Sequence, residues 1–67
     1  MNLFMVHCGY YVDELYESHT NIFVAAEDKI AAKQKVKSLE KFQSLRMHVD
    51  SILEIKQVDE YQVQLLN

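Results

Sequence analysis

Residues 2–8, NLFMVHC, are the stretch that decides the fold. Leu3 and Met5 alternate here with Phe4 and Val6, so both faces of the segment are apolar. An extended segment with two apolar faces is typical of a strand near the middle of a sheet, where other layers cover it on both sides. The stretch therefore predicts a first strand with a sheet built around it.

The chain is then predicted to leave this sheet and return to it. Gly9, the only glycine, follows at once and is expected to take a positive φ. Residues 9–18, GYYVDELYES, read as a loop that can hold a helical turn, with tyrosines half buried over a core or an interface rather than lining a ligand pocket. Residues 19–26, HTNIFVAA, predict a second strand that is covered on both faces.

Residues 27–45, EDKIAAKQKVKSLEKFQSL, have helical spacing and predict the one substantial helix. Asp28 is expected to cap the free amides at its start. The buried side is expected to carry an apolar stripe formed by Ala32, Val36, Leu39 and Phe42. The lysines of this segment are interpreted as a solvated helix face, and the alternative is a face that binds anions or an acidic partner; they are Lys29, Lys33, Lys35, Lys37 and Lys41.

Residues 47–55, MHVDSILEI, alternate as a third strand. Strict alternation predicts one face with Met47, Val49, Ser51, Leu53 and Ile55, and another with His48, Asp50, Ile52, Glu54 and Lys56. His48 and Asp50 are therefore expected to share a polar face. Residues 61–66, YQVQLL, predict a fourth strand whose inward side carries Tyr61, Val63 and Leu65.

This order of elements predicts an α+β fold of the β-β-α-β-β type, with a four-stranded, mostly antiparallel sheet and one main helix on one face. The 67 residues are expected to form a single domain, 1–67. Domains of this size usually need a disulfide, a metal or a partner chain. Because one helix can cover only one face of the sheet, a second copy of the chain is expected to cover the other, and we predict a homodimer.

Composition excludes several classes of protein. Cys8 is the only cysteine, so no disulfide can form within the chain, and a buried thiol in a reducing compartment is expected. The start has no secretory signal and no apolar run approaches about 18 residues, so we expect a cytoplasmic protein without a membrane partner. A formal net charge of −3 argues against a nucleic-acid partner. A single glycine excludes glycine-rich phosphate loops.

The histidines are the residues most suited to chemistry. His7, His19 and His48 could, with Asp50, supply the ligands of a zinc or iron site, although their spacing is not that of a zinc finger. Asp50 could instead orient His48 for acid/base catalysis, with Glu17 or Glu54 as a second carboxylate; Ser51 is expected on the face opposite His48, so it supplies no nucleophile. The catalytic residues, the cofactor and the ligand stay unknown at this level.

Four segments together resemble a known family: LFMVHCG, ESHTNIFVAA, the helix after AED, and MHVDSILEI. They are similar to the bacterial domain of unknown function 1543, over most of the chain. The resemblance implies single or tandem copies of this unit, in which a single copy is half of a pseudo-symmetric pair. It implies no activity, and any common site would use His19, His48 and Asp50.

Two hypotheses about function follow. The leading one is a homodimeric binding or interaction module without catalytic activity. The alternative is a small enzyme or metal-binding protein that uses His19, His48 and Asp50, either for catalysis or as metal ligands. The two differ in whether the fold brings these three side chains together.

Overall fold

The computed structural model describes residues 1–66. Its elements follow one another as β1 (Asn2–Val12), β2 (Tyr16–Ala26), α1 (Lys29–Lys37), α2 (Glu40–Ser44), β3 (His48–Glu54), β4 (Gln57–Val58) and β5 (Tyr61–Gln62). The main sheet has three strands in the order β2-β1-β3, and both pairings are antiparallel. The sequence correctly predicted an α+β fold with β1 in the middle of the sheet.

The expected four-stranded sheet is not formed by the described residues. Instead of one long strand over residues 61–66, only Tyr61–Gln62 is strand, and it pairs with Gln57–Val58 in a separate two-stranded sheet. α1 packs on β1, β2 and β3, and no such layer lies over the last two strands in the part of the chain that the structure describes. Tyr61 therefore stays exposed, because its alternating pattern has no core to face.

The β1–β2 hairpin is longer than predicted, and this corrects the assignment of residues 9–18 as a loop. β1 continues through Gly9 to Val12, and Gly9 does not have a positive φ. Asp13 and Glu14 take the left-handed conformation instead, with φ of 53° and 61°, and they turn the chain into β2. Eleven cross-strand pairs hold the two strands together, so the hydrogen-bonded ladder outweighs the helical spacing in this segment.

The predicted helix divides into two. Asp28 caps α1 as expected, and its Oδ1 accepts a 2.8 Å hydrogen bond from the amide of Ala31. The helix ends at Ser38, whose hydroxyl donates to the carbonyl of Lys35 at 2.7 Å, and Leu39 has an extended backbone before α2 begins. Leu39 is consequently 38% exposed rather than buried, whereas the rest of the predicted stripe is buried: Ala32, Val36 and Phe42.

The core lies between the two helices and one face of the sheet. Phe4, Val6 and Cys8 point from β1 toward the helices and are at most 1% exposed. The opposite face of the sheet, which we call the open face, has no covering layer in residues 1–66. Phe23 and Leu53 lie on it and are 57% and 56% exposed, so the expectation that β2 is covered on both faces was wrong.

Candidate functional site

A β-bulge in β3 determines which side chains reach the open face. His7 of β1 pairs with Ser51, but the next residue, Cys8, pairs with Val49, so Asp50 is an extra residue without a partner. An extra residue of this kind shifts the alternation of the strand beyond it. Ile52 consequently pairs with Val6 on the helix-facing side and packs against the core.

Because of the bulge, the residues on the two faces of β3 differ from those predicted. His48 and Asp50 do lie together, as predicted, but Ile52 and Glu54 do not lie on their side. Glu54 instead pairs with Phe4 on the helix-facing side. Ser51 is on the open face, opposite His7, where strict alternation had placed it away from His48.

β2 brings a second histidine and a second carboxylate to the same place. Glu17 and His19 are two residues apart on an extended strand, so they share a face, and His19 pairs with Gly9 of β1. On the other side of β1, Gly9 also pairs with His48. The two imidazoles therefore come from the outer strands and flank the one residue of the central strand that has no side chain.

Four nitrogen-to-oxygen contacts join these side chains into a closed cluster. Nε2 of His19 lies 3.3 Å from Oε1 of Glu17 and 3.3 Å from Oδ2 of Asp50. Nε2 of His48 lies 3.2 Å from the same oxygen of Glu17 and 3.2 Å from Oδ1 of Asp50. We call Glu17, His19, His48 and Asp50 the histidine–carboxylate cluster.

Hydrogen bonding accounts for only part of this geometry. Among the residues that the structure describes, the contact between His48 and Glu17 is the one of the four that also has hydrogen-bond geometry. The carboxylates of Glu17 and Asp50 offer oxygens within 4.8 Å of each other, so like charges repel across the cluster. A cation bound between the two carboxylates would offset that repulsion.

Gly9 makes room for the cluster. A Cβ atom at this position would lie 2.6 Å from Nε2 of His48 and 3.0 Å from Oδ2 of Asp50. Both distances are shorter than a normal van der Waals contact. Gly9 therefore does not take the chain out of the sheet as predicted, and its role is to leave space between the two outer strands.

His7 lies beside the cluster and is held in place by two contacts. Its ring stacks on that of His19, with the ring centres 5.0 Å apart and the planes at 4°. Its Nδ1 lies 2.7 Å from Oδ1 of Asn21. Two sets of three side chains therefore bring one ligand atom each within 4.8 Å of one another, and both contain Asp50: His7, His19 and Asp50, and Glu17, His48 and Asp50.

Cys8 takes no part in the site. It pairs between Thr20 and Val49, is fully buried, and faces the helices. Burial raises the pKa of its thiol above 9.0, and the negative charge of Asp50 adds to this effect. Since metals bind the thiolate, a buried and protonated Cys8 does not suit a ligand.

The residues proposed from sequence, His19, His48 and Asp50, thus come together, on an exposed face rather than in an enclosed cavity. Their side chains are 34–44% exposed. Glu17 was proposed only as a second carboxylate for catalysis, and its two-residue spacing from His19, like that of His48 from Asp50, was the signal that it belongs here. Glu54, the other carboxylate considered, points to the opposite side of the sheet.

Comparisons with known proteins add one match. The model of the family described as Domain of Unknown Function (DUF1543) matches residues 14–65, a range that contains all four residues of the cluster. No curated protein and no solved structure matches the chain. In residues 1–66, the helices are too short to cross a membrane.

Proposed function

Because the chain belongs to the DUF1543 family, whose function is unknown, we propose from the geometry alone that it binds a divalent transition-metal ion through the histidine–carboxylate cluster. The observation that carries this proposal is the set of four contacts of 3.2–3.3 Å between two imidazole nitrogens and two carboxylates. Ligands bound to one zinc ion at about 2.0–2.1 Å in a tetrahedral arrangement are separated by about 3.3 Å. The four nitrogen-to-oxygen contacts have that separation, and each histidine contacts a different oxygen of Asp50.

The donor types favour a first-row transition metal. Imidazole nitrogen suits zinc, copper, iron and nickel, whereas magnesium and calcium prefer sites made of oxygen alone. Two carboxylates would neutralise the charge of one divalent ion, and the exposure of the cluster leaves solvent access to further coordination positions. Zinc is therefore a suitable first probe, and cobalt reports the coordination through its visible spectrum.

The proposal is tested by calorimetric titration of untagged, chelator-treated protein with zinc and with cobalt at neutral pH. Loss of an outer-shell group typically weakens metal binding about 10- to 100-fold, and loss of a direct ligand should cost at least as much. We therefore expect Asp50→Asn and Glu17→Gln each to weaken binding by at least about tenfold.

Matched controls are available elsewhere in the chain. Asp59 and Glu60 are exposed carboxylates in the turn between β4 and β5, outside the cluster. Asp59→Asn and Glu60→Gln remove the same charges and should leave the affinity unchanged. Binding that is absent in the wild-type protein, or equal losses in control and cluster variants, would overturn the proposal.

The homodimer expected from sequence is a second proposal, supported by the open face. Phe23, Met5 and Leu53 lie in one row across the three strands of the sheet, and Phe23 and Leu53 are more than half exposed. A row of this kind can pack on its own copy about a two-fold axis, since a two-fold interface uses the same patch on both subunits. The interaction module and the metal site would then share one face of the molecule.

A further inference from the structure

The cluster has more potential ligands than one ion needs, and they divide into two sets. We infer that the open face binds a pair of divalent metal ions bridged by Asp50, with His7 and His19 as the other ligands of the second ion. The inference rests on the proposed metal binding and adds to it the number of ions, the assignment of His19 to the second ion and the role of His7. The first ion keeps Glu17, His48 and one oxygen of Asp50.

Asp50 has the orientation of a bridging carboxylate. Its Oδ1 lies 3.2 Å from Nε2 of His48, and its Oδ2 lies 3.3 Å from Nε2 of His19. Each oxygen therefore faces a histidine from a different outer strand. The bulge produces this arrangement, because Asp50 has no partner in β1 and projects between the two sets.

Asn21 fixes the orientation of the His7 ring through a hydrogen bond. The amide oxygen of Asn21 can only accept a hydrogen bond, so Nδ1 of His7 must carry the proton and donate it over 2.7 Å. In the neutral imidazole, a proton on Nδ1 leaves Nε2 with a free lone pair. Outer-shell hydrogen bonds of this type fix the tautomer and ring orientation of histidines that bind metals.

Stacking holds His7 and His19 side by side. Their planes differ by 4° and their ring centres are 5.0 Å apart, so the two imidazoles stack in nearly parallel planes. One nitrogen of each lies within 4.8 Å of an oxygen of Asp50. Two imidazoles and a carboxylate make three protein ligands, which is the number that leaves coordination positions open for solvent or a ligand.

The charges indicate what such a pair of ions would take as its ligand. Two divalent ions carry four positive charges, and Glu17 and Asp50 supply two negative ones. Paired ions in proteins, about 3.5–4 Å apart, commonly share an oxygen ligand between them. An oxyanion such as inorganic phosphate would bridge the two ions and supply the missing charge.

The number of ions per chain tests this inference. Untagged, chelator-treated protein is saturated with manganese or zinc and freed of excess ion, and the bound metal is measured by elemental analysis. The wild-type protein is expected to retain two ions per chain, and the paramagnetic resonance spectrum of the manganese form is expected to show a spin-coupled pair. Inorganic phosphate should tighten the binding of the second ion.

His7→Phe is the decisive variant, because it keeps an aromatic ring to stack on His19 and removes both nitrogens. It is expected to retain one ion and to show the spectrum of isolated manganese. Asn21→Leu keeps His7 but removes its acceptor, and should weaken the second ion about 10- to 100-fold. Circular dichroism of both variants is the folding control and should show an intact sheet.

The outcomes separate this inference from the function on which it rests. Two ions in the wild-type protein and one in His7→Phe support it. One ion in both proteins overturns the paired site and leaves the proposed metal binding standing, whereas no bound ion overturns both. Two ions retained in His7→Phe would show that His7 is not a ligand, and would also overturn it.

Discussion

His48 lies over Gly9, so closely that a methyl group on Gly9 would be 2.6 Å from Nε2 and 2.9 Å from Cε1 of its ring. The atoms that such a methyl group would meet belong to side chains, so the ring can move without disturbing the backbone. We therefore expect Gly9→Ala to fold and to displace His48 from the cluster. Affinity for zinc should fall by at least about tenfold, as for the loss of a positioned ligand.

Calorimetric titration of Gly9→Ala measures this effect, and chemical unfolding gives the control. The free energy of unfolding should change by no more than about 1 kcal/mol, which is the usual difference between glycine and alanine within a strand. Wild-type affinity in this variant would show that the space above Gly9 does not matter to the site. A large loss of stability would show that the backbone, and not the imidazole, yields.

Metal binding should stabilise the fold. An ion that binds only the folded chain adds about 2.7 kcal/mol to the free energy of unfolding when its free concentration is 100 times Kd. In a domain of this size, that corresponds to a rise in Tm of roughly 10–20 °C. Differential scanning calorimetry with zinc should show the full rise in the wild-type protein and in Asp59→Asn, and at most about half of it in Asp50→Asn, whose affinity is at least about tenfold lower. An excess of chelator should reverse the rise.

The proposed homodimer makes the exposed leucine on β3 a sensitive position. Leu53→Glu places a charge in the row that includes Phe23 and Met5, and burying an unpaired charge in an interface is strongly unfavourable. We expect this variant to sediment as a monomer at concentrations where the wild-type protein is a dimer. Leu66→Glu is the control, because Leu66 is 82% exposed near the end of the chain. A wild-type protein that sediments as a monomer would contradict the proposal.

The cap of α1 gives a prediction about stability alone. Oδ1 of Asp28 accepts a hydrogen bond from the amide of Ala31, so Asp28→Ala leaves that amide without its partner. The free energy of unfolding should fall by about 1 kcal/mol. Asp28→Asn keeps an accepting oxygen and should lose much less in the same urea titration. Equal losses in the two variants would indicate that charge, and not capping, is what stabilises the helix start.

Cys8 should make the free energy of unfolding decrease as the pH rises in the alkaline range. Burial, and secondly the charge of Asp50, raise the pKa of its thiol above 9.0 in the folded state. Because the folded pKa is the higher one, this contribution to stability is fully present below the pKa of the unfolded chain and is lost as the pH rises through the folded pKa. Urea unfolding above about pH 9 should show a steeper decline in the wild-type protein than in Cys8→Ala. Parallel pH profiles would rule out this role.

Local patterns in the sequence predicted the elements that depend on near neighbours. The run of apolar residues from Leu3 to Val6 identified β1, and Asp28 marked the start of α1, because each signal lies within a few residues of the feature it produces. The second strand, the third strand and the burial of Cys8 were predicted in the same way. The extent of these elements was less accurate, since helical spacing in residues 9–18 competed with cross-strand pairing.

The histidine–carboxylate cluster also combines features that a local pattern predicts with features that depend on strand pairing. Spacing alone indicated that His48 and Asp50 share a face. His19 was also a candidate, but no pattern in the sequence predicted that it contacts the same carboxylates as His48. Whether they meet depends on the register of two strand pairings, which places His19 and His48 on either side of Gly9. Register arises from pairing between distant segments, so a local pattern does not contain it.

By itself, the sequence determined which residues can bury apolar surface, where the first helix begins, and which side chains carry nitrogen and oxygen donors. Only the tertiary structure decided that Asp50 is a bulge, that Ile52 turns inward after it, and that the last strands form their own small sheet. The physical reason is the range of the interactions. Periodicity and capping act over a few residues of chain. The bulge and the cluster exist because segments far apart in sequence, such as those of Glu17 and His48, which are 31 residues apart, are hydrogen-bonded to a common central strand.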